Sequence, residues 1–212
     1  MDRGFDVERY RNDGWGLSVA ALAALADVID DLPAVRAIEF GSGGSTRFLV
    51  DYCGHADKPL TLDSFDNDAR YGHPDATLAR LVQCGADDYE RMFERGEIDW
   101  SAFRRRWRRP KSRQKRCFYD LSDVALAERY DVAVVDGPHG NGRNFAWLLL
   151  RGRMSEGACI LIDDFNHYDF LERAASQLPL EEVRRVESAT DNFVLVRVTA
   201  PERAPPPVTA PV

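Results

Sequence analysis

The sequence lacks most of the features that assign a chain at sight. No uninterrupted apolar run approaches the roughly 18 residues that a membrane span needs, so no membrane partner is expected. The opening stretch MDRGFDVERYRND is charged throughout and has no apolar segment of the signal-peptide kind, which predicts a cytoplasmic location. Cysteine is sparse and scattered. Cys53, Cys84, Cys117 and Cys159 form no CxxC pair and no metal-type cluster, and they read as reduced thiols. No internal repeat is visible. A dinucleotide fingerprint is also missing, because the glycine loop carries Thr46 where GxGxxG needs Gly or Ala.

What is present suffices for one sizeable core: 212 residues, 44% of them apolar. The net charge of −7 is unevenly spread, because RRRWRRPKSRQKR at 104–116 holds nine lysines and arginines and no acid. Such a run is either a solvated face or a contact for something anionic. It contains one aromatic residue, Trp107, and so lacks the repeated stacking side chains of a single-strand binder; nucleic acid is a disfavoured partner. The proline-rich end, from about residue 199 to 212, reads as a disordered tail. The expected unit is therefore a single domain over 1–198 with a charged insertion at about 88–116.

Hydrophobic spacing gives the elements. Ser18 can cap a helix over VAALAALADVIDDL with Leu22, Leu25, Ala26 and Ile29 on one face, ended by Pro33. Strands are predicted at 35–40, 59–65 and 81–84, and in DVAVVDG (131–137) and ACILID (158–163). Helices are predicted from about Ser45 to Tyr52, over 74–81, through much of 88–116, in RNFAWLLLRGRM and in DFLERAASQL, while CFYDL (117–121) is a further strand or an edge. The last two strands flank Thr190-Asp191-Asn192 as a hairpin. Strands alternating with helices predict an α/β, Rossmann-like three-layer sandwich: a mostly parallel seven-stranded sheet closed by an antiparallel C-terminal hairpin.

In such a sheet ligands bind beyond the carboxyl ends of the strands, where strand order reverses. AIEFGSGGSTRFL at 37–49 puts a carboxylate, Glu39, at a strand end and follows it with three glycines in four positions. Alone, that is as compatible with a plain strand-to-helix turn as with a binding loop. Asp66, ending the next strand, can accept hydrogen bonds from both hydroxyls of a ribose. A carboxylate just before the loop suits a positively charged ligand and sits badly beside a pyrophosphate.

Together these motifs resemble the class I S-adenosylmethionine-dependent methyltransferases. Glu39-Phe40-Gly41-Ser42-Gly43 is similar to their ExGxG loop, SFDND around Asp66 to their second acidic motif, and VAVVDGPHG and GACILIDDF to their fourth and fifth strands. The resemblance implies S-adenosylmethionine as cofactor. Glu39, Gly41, Ser42, Gly43 and Ser45 would line its methionine half, Asp66 its ribose, and Asp87, after the presumed third strand, its adenine. Asp87 as an ordinary surface acid is an equal reading.

Proton handling for the acceptor falls to Asp136, His139 and His167 at the ends of the fourth and fifth strands. Each histidine can equally anchor its loop. Arg143 can clamp an anionic group or neutralise nearby acids, Asn141 and Asn144 read as turn and cap residues, and Trp15 can pack the first helix or close over the cofactor. Asp136, Asp163 and Asp164 at neighbouring strand ends could hold Mg²⁺ or Mn²⁺; the resembled superfamily includes cation-dependent O-methyltransferases with a similar acidic set. A capping or ion-pairing role without metal is the alternative. The leading expectation is O-methylation of a small-molecule or glycan-like acceptor, anionic if the basic run meets it. A catalytically inactive module that binds a nucleoside or partner through the same cleft is the alternative, and a nicotinamide-dependent oxidoreductase is disfavoured by Thr46. Acceptor identity and oligomeric state are not legible.

Overall fold

Ser18 starts the first helix as its spacing requires: its hydroxyl accepts a hydrogen bond from the Ala21 N–H at 3.2 Å, and Val19–Asp30 (α1) follows. The stripe of Leu22, Leu25, Ala26 and Ile29 is buried. Val35–Phe40 (β1) then runs through the glycine loop into Gly44–His55 (α2), and Leu60–Asp66 (β2) lies parallel to β1, pairing Val35 with Leu60 and Phe40 with Phe65. The computed structural model that gives this fold describes residues 4–10, 16–70, 73–105, 115–188 and 191–200. Trp15, most of the basic run and the proline-rich end from 201 lie outside the described residues.

The next segment departs from its local pattern. Residues 74–81, predicted as helix, contain instead Thr77–Leu78 (β3), which pairs with Phe65 and Asp66 as the outermost strand of the main sheet. Eight residues starting at a proline are too few to nucleate a stable helix, while the edge of β2 has backbone groups to satisfy. Leu81–Gln83 (β4), predicted as the third strand of that sheet, belongs to a separate antiparallel one. There it lies between Arg104–Arg105 (β5) and Cys117–Tyr119 (β6). Among the described residues of the insertion, only those of Ala86–Arg95 (α3) are α-helix, ended by Gly96 in the left-handed conformation at φ 72°; a short 3₁₀ turn at Trp100–Ala102 precedes β5.

Tyr130–Val135 (β7) is a buried run beside β1, with Ala37–Phe40 set against Val132–Val135. After a 3₁₀ turn at Asn141–Asn144 come Phe145–Leu150 (α4), Met154–Asp163 (β8) and Phe170–Gln177 (α5). The chain returns through the hairpin Leu180–Glu187 (β9) and Asn192–Val198 (β10). The seven-stranded order is β3-β2-β1-β7-β8-β10-β9, with β10 antiparallel to both neighbours. This is the three-layer Rossmann-like sandwich the sequence predicts. Because side chains alternate across a sheet, Ile38, Phe40, Ala133 and Val135 join one core with α3, α4 and the small sheet. Ala37, Val132, Val134 and Leu161 join the other with α1 and α2. Among the described residues no helix is long and apolar enough to cross a membrane.

Candidate functional site

β2 and β7 flank β1 on opposite sides, so strand order reverses there and a crevice opens at the carboxyl ends. Glu39, one residue from the end of β1, is fully buried. Its Oε2 accepts hydrogen bonds from Thr46 Oγ1 at 2.5 Å and Ser64 Oγ at 2.6 Å. Thr46 Oγ1 in turn accepts the Gly43 N–H at 2.9 Å, which ties the first turn of α2 to the carboxylate. The other oxygen, Oε1, and the hydroxyl of Ser42 are buried without hydrogen-bond partners among the described residues. Burial pushes Glu39 up to about 7; the hydroxyls of Ser45, Ser64 and Thr46 pull it down, and Asp136 pushes it further up. An ionisable oxygen buried without a donor is destabilising unless something fills its hydrogen-bonding position.

The glycines of the loop serve the fold before any ligand. Gly41 is left-handed at φ 101°, and a Cβ there would sit 2.7 Å from the Gly137 backbone nitrogen. Its bareness admits the loop after β7. Gly43, at φ 152°, stands at the N-cap of α2.

Asp66 ends β2 and accepts the Asp68 N–H at 2.6 Å, and burial raises its pKa. It forms one wall of a cavity of about 280 Å³ whose other side is the segment His73–Leu78. Asp87 does not line this cavity. It is exposed in the first turn of α3, which follows a strand of the small sheet, so the premise that placed it beside an adenine fails.

Asp136 and Asp163 follow or end adjacent strands, β7 and β8, whose Val135 and Ile162 are paired. Their carboxyl groups are near enough to influence one another's ionisation. Burial and the neighbouring charges of Asp136 and Asp164 push Asp163 up to about 9. Burial also raises Asp136, opposed by the Arg143 guanidinium 3.9 Å from its Oδ1. Arg143 is itself buried, donates to the Asp163 carbonyl at 3.0 Å and stacks on Phe170 at 4.8 Å. Of its two readings from sequence, neutralising the acids is the one its contacts support.

The expected metal triad of Asp136, Asp163 and Asp164 is not assembled. Among the described residues no group of three or more acids, histidines or cysteines is placed to hold an ion. Asp164 takes a left-handed conformation, φ 51°, with its carboxylate 3.9 Å from His167 Nδ1, while Arg143 offsets the charge of the other two.

His139 and His167 are exposed at the rim, their rings 6.3 and 6.2 Å from that of Tyr168. Asn144 does more than cap a helix: it is buried, donates to Tyr89 Oη at 3.1 Å and the Tyr168 carbonyl at 3.0 Å, and accepts the Trp147 indole N–H at 2.9 Å. Asn141 accepts the Arg116 N–H at 2.8 Å. Sequence reasoning missed Thr46 and Ser64 as supports of Glu39. The signal was there, in hydroxyls that follow the glycine loop and sit inside the second acidic motif.

No protein-family model matches the sequence, and no curated protein is similar to it in sequence. Solved structures are similar to it at TM-scores below 0.5. The 16S rRNA N2 methyltransferase of T. thermophilus, in complex with AdoMet and guanosine, is 10% identical at a TM-score of 0.48, over 86% of this chain and 42% of that one. Precorrin-6y methyltransferase from Geobacter metallireducens is 11% identical at 0.47, over 89% and 96%. An SAH-bound methyltransferase of Podospora anserina is 13% identical at 0.46, over 91% and 84%. This chain thus spans less than half the length of the first.

Proposed function

We propose that this chain, whose fold is that of the class I S-adenosylmethionine-dependent methyltransferases, binds S-adenosylmethionine and methylates an oxygen of a small, hydroxyl-bearing acceptor. One observation carries the reading: in the loop between β1 and α2, Glu39 Oε1 and Ser42 Oγ are buried and unpartnered. A carboxylate in that position calls for a ligand that brings positive charge and N–H donors, which the methionine end of S-adenosylmethionine has. Asp66, beside a cavity of about 280 Å³, offers a carboxylate to paired hydroxyls such as those of a ribose.

In this reading Glu39, Ser42 and Gly43 hold the methionine end and Asp66 the ribose. The cofactor, when bound, supplies a methyl carbon already activated for displacement. The chain's own contribution is position, which can lower a barrier by about 7–11 kcal/mol, and proton handling. Asp136 is the acceptor-side base. Burial raises its pKa and the Arg143 guanidinium opposes that rise. His139 and His167, at the rim, pass the proton outward.

Thermal melting with S-adenosylhomocysteine tests the reading. Ligand at a hundred times its dissociation constant adds about 2.7 kcal/mol, a rise of roughly 5–10 °C for a chain of this size. Asp66→Ala should remove most of that rise and still fold. No rise in the wild type at millimolar ligand would overturn the cofactor assignment.

A further inference from the structure

A second cavity, of about 310 Å³, opens on the face of the sheet that carries α1. Asp131, the second residue of β7, and Gly157 of β8 border it, so it lies toward the amino ends of those strands and away from the crevice. Val28 of α1 and Leu195 of β10 give it an apolar lining, and the thiol of Cys159 adds to that surface. A bulge builds one wall. Leu195 pairs with Arg184 and Val196 with Glu182, so Val183 is the extra residue of β9. A bulge re-aims side chains. Here Val183 and Arg184, neighbours in sequence, both line the cavity, and Val183 is 43% exposed.

The charges are divided between the walls: Asp27 and Asp31 come from α1 and its cap, Arg184 and Arg197 from the hairpin. Asp131 is engaged already, by Arg36 at 2.7 and 2.8 Å. Among the described residues Asp31, Arg184 and Arg197 form no ion pair. Asp31 and Arg197 nonetheless converge on one atom. Burial raises the pKa of the Cys159 thiol, the Arg197 guanidinium opposes that rise and Asp31 adds to it. Opposite charges that stand near one sulfur without meeting leave a gap between them.

We infer that this cavity binds a free α-amino acid with an apolar side chain of about the size of leucine. The inference is independent of the methyl-transfer reading. An α-amino acid carries its ammonium and carboxylate on one carbon, so a single head group closes the gap. Its carboxylate takes the Arg197 guanidinium, with Arg184 as a second donor on the same wall, and its ammonium takes Asp31. The side chain then lies on Val28, Val183 and Leu195. The size agrees, because about 310 Å³ is at the small end of ligand pockets. A plain carboxylic acid would leave Asp31 unmatched, and a plain amine would leave both arginines so.

The test is an NMR titration of the full chain with leucine and three analogues. Glycine lacks the side chain, isocaproate the ammonium and isoamylamine the carboxylate. Leucine should bind, and each analogue should bind roughly tenfold more weakly or worse. Arg197→Gln and Asp31→Asn should each weaken leucine by about tenfold. Both side chains are exposed, so the variants should keep the wild-type urea midpoint, and they locate the site at this cavity. No leucine binding at millimolar concentration would overturn the inference. So would any analogue binding as tightly as leucine, or leucine affinity unchanged in either variant.

Discussion

Gly41 and Gly137 pack backbone to backbone across the carboxyl ends of β1 and β7. A Cβ on Gly137 would lie 2.9 Å from Gly41 Cα and 2.4 Å from the hydroxyl of Tyr119. The two loops are further locked because Asp136 and Gly137 both donate their N–H to the Phe40 carbonyl, at 2.9 and 2.5 Å. The distance between the glycine loop after β1 and the acids at the ends of β7 and β8 is thereby set by bare backbone.

Gly137→Ala should accordingly destabilise the protein by about 2–4 kcal/mol, since no flexible side chain can yield. Gly54→Ala is the control. That residue lies inside α2 with nothing within 4 Å of a new Cβ, and the change should stabilise by roughly 0.5–1 kcal/mol. Urea denaturation measures both. A neutral Gly137→Ala would mean the loops part easily.

Glu39 should make cofactor binding pH-dependent. A cationic ligand needs the carboxylate, which titrates at about 7, so S-adenosylmethionine affinity should fall up to about tenfold per pH unit below that. Folding shows the opposite sign. A raised folded pKa adds stability that is complete below the ordinary value of 4.5 and is lost as pH rises through about 7. Without ligand at pH 8, Glu39→Gln should therefore be more stable than wild type by roughly 1–3 kcal/mol, while losing the pH-dependent binding. Calorimetry and urea melts between pH 6 and 8 separate the two effects.

Asp163 makes a second pH signature. Its folded value of about 9 lies far above the ordinary 3.8, so the stability it adds declines from near pH 4 and is gone once pH passes about 9. Asparagine mimics the protonated acid. Asp163→Asn should flatten that decline, matching wild type near pH 4 and exceeding it by a margin that grows as pH rises toward 9. Equal slopes in the two proteins would show that Asp163 does not titrate above its ordinary range.

Thr46→Val tests the support of Glu39. The change removes a donor to the carboxylate and the acceptor for the Gly43 N–H, and should cost about 1–3 kcal/mol. It should also move the pH midpoint of cofactor binding upward, since a lowering hydrogen bond is gone. A loss of stability with an unmoved midpoint would make Thr46 a helix cap only.

The parts of the molecule legible in the sequence are those fixed by local pattern. Ser18 announces α1, the apolar runs announce β1, β7 and β8, and the rule of strand ends then gathers Glu39, Asp66, Asp136 and Asp163 at one edge. What escaped depends on partners far along the chain. Thr77–Leu78 is a strand because β2 has an open edge, and Leu81–Gln83 leaves the main sheet because Cys117–Tyr119 pairs with it. The strand that precedes Asp87 changed sheet in that same exchange. Thr46 was read for what it denies a dinucleotide loop, although its hydroxyl links helix to carboxylate.

Glu39, Asp136 and Asp163 stand on three successive strands of the sheet, β1, β7 and β8, with Arg143 as the guanidinium set against the latter two. Burial pushes the pKa of each of the three up. A cation that enters this row displaces a proton to solvent instead of adding to the site's net charge, and dissolved salt cannot screen what it cannot reach. Affinity for a cationic ligand should therefore vary steeply with pH and hardly at all with ionic strength.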